Sequence, residues 1–64
     1  MKTRIRETRI EKGLKQNELA AKSKITSRQL SDIELGKVDF RISTLINIAA
    51  ALEKPVEYLI CKEG

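Results

Sequence analysis

Three glycines and one proline are all that break the helical pattern of this chain. Gly13, Gly36, Pro55 and Gly64 divide it into runs whose apolar residues recur at three and four, and no run alternates with period two for long enough to argue a strand. The fold class that follows is all-α. Lys2 to Lys12 reads as the first helix, with Gly13 where a left-handed C-terminal residue belongs. Ile5, Thr8 and Leu14 point inward, and Ile10 falls off that stripe onto the surface. Gln16 to Ser23 reads as the second helix. Leu19 and Ala20 face inward, and Glu18 lies in the first turn, where the helix dipole favours an acid. Thr26 to Leu35 reads as the third, opened by the capping box Thr26-Ser27-Arg28-Gln29. Its apolar side is Leu30 and Ile33. Arg28, Ser31, Asp32 and Leu35 share the opposite face, with Ser27 at its edge. Ile42 to Leu52 is the fourth helix, with an inward stripe of Ile42, Leu45, Ile48, Ala49 and Leu52. Pro55 is expected at N1 of a short fifth helix, where its missing N–H costs nothing, with Val56, Leu59 and Ile60 as its apolar side.

Residues 1–64 are enough for one domain, near the lower limit for a core that folds without staples or a partner. Cys61 is the only cysteine and there is no histidine, so neither an internal disulfide nor a standard structural zinc site can be built. No metal and no cofactor is expected. Cys61 itself is expected to be an inert small residue. No run approaches the about 20 apolar residues of a membrane span, and the basic stretch Met1 to Arg9 lacks the apolar core of a signal peptide. A cytoplasmic location is expected. Without histidine, and with no acidic cluster facing a cleft, a nucleophile–base pair cannot be assembled, so no catalytic residue is assigned. The net charge of +4 is uneven. Residues 1–41 hold eleven Lys/Arg against six Asp/Glu, whereas residues 42–64 hold two against three. A basic first two-thirds suits one face for a polyanion and another for packing or a partner. Ordinary solvated lysines would give the same totals.

The segment from Gln16 to Gly36 carries the most information. Two short helices are joined by Ser23-Lys24-Ile25, with small Ala20 where they must cross closely. Ile25, Leu30 and Ile33 would fix the second against the first. This is the arrangement of a helix-turn-helix, about residues 16–35, which projects a polar face into the major groove.

Nearly the whole chain resembles the phage repressor and Cro (XRE-type) family. The matching motifs are Glu11-Lys12-Gly13-Leu14-Lys15-Gln16-Asn17-Glu18-Leu19-Ala20, then Ile33-Glu34-Leu35-Gly36-Lys37, then Thr44-Leu45 through Ala51-Leu52. The resemblance implies a compact five-helix, lambda-repressor-like domain that binds double-stranded DNA. It implies base contacts from Ser27, Arg28 and Asp32, with Ser31 beside them. It implies phosphate contacts near Gln16, flanked by Lys15 and Asn17, and near Lys37 and Arg41. It also implies an architectural ion pair between Arg9 and Glu34. The family usually has glycine where this chain has Lys24 and Glu53, and often proline where it has Phe40.

Arg28 can fork onto guanine O6 and N7, or it can be a solvated arginine paired with Asp32 at i+4. Asp32 can accept from cytosine N4, but phosphates nearby repel it. Phe40 and Tyr58 are the only aromatics, too few for a single-strand stacking platform. With Ile60 and Cys61 they are candidates for a dimer interface. The function expected is a sequence-specific transcriptional regulator, a repressor acting as a homodimer on a palindromic operator, bacterial or phage-encoded and nucleoid-associated. No effector domain is expected, so the expected switch is another protein, competition or concentration. The alternatives are an antitoxin that neutralises a toxin and autoregulates its promoter, a restriction–modification controller, and an RNA binder.

Overall fold

The computed structural model describes residues 3–60. Five helices run in order: α1 Ile5–Glu11, α2 Gln16–Lys22, α3 Ser27–Glu34, α4 Ile42–Leu52 and α5 Val56–Leu59. α4 packs against α1, α2 and α5, and α2 packs against α3. One core joins them, built from Ile5, Leu19, Ala20, Leu30, Ile33, Leu45, Ile48, Ala49, Leu52 and Leu59. Leu14, Ile25, Phe40, Val56, Tyr58 and Ile60 pack half-buried around its rim. Thr8 is also buried, and its hydroxyl donates to the Arg4 carbonyl at 2.7 Å, so its burial strands no donor.

Four helices end in the same way. After α1, the Gly13 amide donates to Ile10 O and the Leu14 amide to Arg9 O. After α3, the Gly36 amide donates to Ile33 O and the Lys37 amide to Asp32 O. These paired bonds, with a left-handed residue between, are the Schellman motif. After α2 the left-handed residue is Lys24 (φ 61°), with Lys24 N–H to Ala21 O and Ile25 N–H to Ala20 O. After α4 it is Glu53 (φ 58°), with Glu53 N–H to Ala50 O and Lys54 N–H to Ala49 O. The turn inside the helix-turn-helix is therefore not rearranged to suit Lys24; the lysine takes the left-handed conformation.

Three residue placements and several helix bounds are corrected. Ile42 belongs to no buried stripe: it is 65% exposed. It is the first residue of α4, its side chain leans toward the helix N-terminus, and it stays outside the core that α4 builds from Leu45 onward. Pro55 is the N-cap of α5 rather than N1, with extended ψ of 151° and its carbonyl accepting from the Tyr58 amide. Ile60 lies beyond α5 in extended backbone, because it pairs with Thr3 in an isolated antiparallel bridge. That bridge and the 2.7 Å bond from Arg4 N–H to Leu59 O join the two ends of the described chain. Helix α1 starts at Ile5, later than Lys2, which lies outside the described residues. Helices α1, α2 and α3 each stop one residue short of the expected end, at Glu11, Lys22 and Glu34.

Candidate nucleic-acid interface

Helix α3 forms because its first turn is closed from both sides. The Gln29 amide donates to Thr26 Oγ1 at 3.0 Å, and the Thr26 amide donates to Gln29 Oε1 at 3.0 Å. Leu30 and Ile33, three apart, are buried against the rest of the domain. Burying that side leaves the other outside. Ser27 and Arg28 are exposed, Ser31 and Asp32 are half-buried, and Leu35 is 59% exposed. Ala20, 2% exposed, gives α2 a small side chain in the core that α3 shares. Ile25 then anchors the connection between the two helices.

At the other end of α3, Glu34 collects donors from two helices. Arg9 on α1 gives Nε to Glu34 Oε2 at 2.8 Å and Nη2 to Oε1 at 3.3 Å. A third donor, Arg9 Nη1, reaches the Leu14 carbonyl at 2.9 Å. Gln16 on α2 adds Nε2 to Glu34 Oε1 at 3.3 Å. The Arg9 and Glu34 side chains are 13% and 3% exposed, so this is an interior pair. The tie from Gln16 to Glu34 was not anticipated. It joins residues 18 apart on different helices, and no local pattern encodes it.

Of the remaining phosphate candidates, Lys15, Asn17, Lys37 and Arg41 are exposed, and Gln16 is half-buried. Arg41 is the N-cap of α4, and Lys15 the N-cap of α2. Only half of a capping box forms at α2: the Lys15 amide donates to Glu18 Oε1 at 2.9 Å, and the Lys15 ammonium has no lone pair to offer in return.

The dimer candidates are already partly occupied within the domain. Phe40 and Ile60 pack half-buried on the core. Tyr58 does so too, with the Lys54 ammonium 4.8 Å and the Arg4 guanidinium 5.6 Å from its ring centroid. Cys61 lies outside the described residues. The large apolar side chains left in solvent are others: Ile10, Leu35, Val38, Ile42 and Ile46. The inward stripes drawn from sequence periodicity left out Ile10, Leu35 and Ile46, but included Ile42.

A compact set of helices with a capped third helix, braced by the second and bare on one side, is the geometry of a helix-turn-helix. The model of the helix-turn-helix family matches residues 5–59. The chain belongs to the XRE-type helix-turn-helix family. This is a family of DNA-binding transcriptional regulators, not of enzymes. Among solved structures, the chain is similar to the clp gene regulator ClgR from Corynebacterium glutamicum, at 30% identity and a TM-score of 0.81. The similarity covers 83% of this chain and 56% of that one, so this helix-turn-helix chain spans little more than half of ClgR. No curated protein matches it. Among the described residues no group of three or more His, Cys, Asp or Glu is placed to hold a metal ion. None of the described helices is long and apolar enough to cross a membrane.

Proposed function

We propose that this helix-turn-helix chain is a sequence-specific transcriptional regulator that reads duplex DNA with α3, and that it represses by occupying an operator. The observation that carries the reading is the division of α3: Leu30 and Ile33 are buried while Ser27 and Arg28 stand free at its capped N-terminal turn. A helix entering the major groove needs that combination, a fixed rod with long polar side chains at its leading end. Arg28 is assigned the main base contact, with Ser27, Ser31 and Asp32 around it. Lys15, Gln16, Asn17, Lys37 and Arg41 are assigned to backbone phosphates, which set register without reading sequence. A second copy bound about one helical turn away would match a palindromic site. The setting is the cytoplasm, at the nucleoid.

Selection of bound duplexes from a random library tests this reading. A recovered palindrome is the expected result; no enrichment at low salt would sink it. On the recovered site, Arg28→Ala should lose about 1–3 kcal/mol of discrimination at one base-pair position. Uniform weakening across all positions would remove Arg28 from base reading.

A further inference from the structure

Of the large apolar side chains left in solvent, two share one helix. Ile42 is 65% and Ile46 52% exposed, four residues apart on α4. Ala50, four further on, is exposed too, as are Ser43 and Asn47 beside this ridge. The other exposed apolar side chains lie among charges. Ile10 and Leu35 line a cleft with Arg6 and Glu7, and Val38 lines one with Asp32, Asp39 and Arg41. α4 has no charged residue in its eleven positions, although 34% of the chain is charged. Its inner side is spent on α1, α2 and α5, and no described element covers the outer one.

Charge and size decide what fits there. Eleven Lys/Arg against six Asp/Glu give residues 1–41 a net +5, so two copies of this chain repel each other over most of their surface. α4 lies in the near-neutral remainder, where copies can meet without like charges in contact. Arg41 and Glu53, opposite in sign and both exposed, flank the helix as a polar rim. A ridge at i, i+4 and i+8 is the one that interlocks in the commonest helix crossing, and small Ala50 lets the partner helix approach. We propose that α4 is the surface on which two copies of this chain meet, about a two-fold axis that sets each Ile46 against the other. The contact is weak alone. Eleven residues make a helix about 16 Å long, too short to bury the about 800 Å² per partner of a standard interface. Pairing is therefore completed on DNA, where adjacent half-sites hold two copies together and the contact is read as cooperativity. That last step rests on the DNA-binding reading. The proposal also moves the second copy away from Phe40, Tyr58 and Ile60, which the core already half-buries.

Two measurements test the surface, one without DNA. Methyl resonances of the chain alone, followed from about 0.05 to about 2 mM, the range in which a weak contact fills, should shift at Ile42 and Ile46 and not at Ile10. Titrations on duplexes carrying one or two half-sites then compare wild type with Ile46→Lys, Ile46→Ala and Ile10→Lys. Ile10 is the control because it is 57% exposed on α1. Ile46→Lys should bind the single half-site as wild type does and lose about tenfold or more of the cooperative gain on two. Ile46→Ala should lose less, and Ile10→Lys nothing. Circular dichroism confirms that each variant folds. Concentration-dependent shifts centred on Phe40, Tyr58 or Ile60, or none at the two isoleucines, overturn the proposal whatever the DNA result. So does a wild-type chain that fills two half-sites independently, or an equal loss in Ile10→Lys; both leave α3 reading intact. A chain that pairs through α4 and yet binds no duplex overturns the reading and the DNA-completed step together.

Discussion

At the scale of single residues, this domain carries three departures from its own best solution. Lys24 and Glu53 occupy left-handed backbone that costs a residue with a Cβ about 1–2 kcal/mol. At the equivalent turns Gly13 and Gly36 adopt φ of 70° and 72° without that cost. Ser23 is fully buried and its hydroxyl has no partner. Each points to a stabilising substitution. Lys24→Gly and Glu53→Gly should each raise stability by about 0.5–1 kcal/mol, the strain relieved less the entropy a glycine adds to the unfolded chain. Ser23→Ala should raise it by about 1 kcal/mol, by removing a polar group that burial leaves unsatisfied. Urea denaturation reads all three. A loss of stability in Ser23→Ala would mean that its hydroxyl does find a partner in solution. The same scale shows how far residue patterns reach. Thr26 and Gln29 announced their reciprocal cap, because a capping box is local and its spacing is its geometry. The exposure of Ile42 was hidden, because three-residue spacing from Leu45 says nothing about whether another element covers the first turn of α4.

At the scale of elements, the domain is held at two kinds of joint. The first is apolar, α4 packed against α1, α2 and α5. The second is the Arg9–Glu34 pair, which ties α1 to α3 and, through Gln16, α2 to both. Arg9→Met should destabilise by about 3 kcal/mol, since it leaves a nearly buried carboxylate with one donor in place of three. Adding Glu34→Met should recover most of that loss, because the penalty lies in the stranded charge. Losses that simply add would instead make each partner's packing the cause. Chemical denaturation of the two single variants and the double variant decides between them. The pairing of Arg9 with Glu34 followed from resemblance, and the approach of Gln16 to the same carboxylate did not. Contacts between helices depend on crossing angles that no single segment encodes.

At the scale of the whole molecule, ten buried apolar residues in one cluster support five helices, none longer than eleven residues. Helices this short are marginal alone, so each persists because the core holds it. A domain of this length is expected to be stable by about 3–10 kcal/mol. Ile48→Ala, at a fully buried position on the central helix, should cost about 2–4 kcal/mol and remove much of that margin. Thermal melting by circular dichroism should then show a transition shifted strongly downward or already broadened at room temperature. An unchanged melt would mean that the core can collapse around the cavity.

What the amino-acid order determined by itself was what near neighbours carry: the helices, the cap at Thr26, the glycine stops at Gly13 and Gly36, and the sidedness of α3. Those depend on dihedral preference and burial, which local spacing encodes. The three-dimensional arrangement decided what distance along the chain conceals. It placed Arg6 beside Gln16 and Ser31, left Ile42 in solvent, and joined Thr3 to Ile60. Those outcomes depend on how helices cross, and crossing is set by the whole core at once.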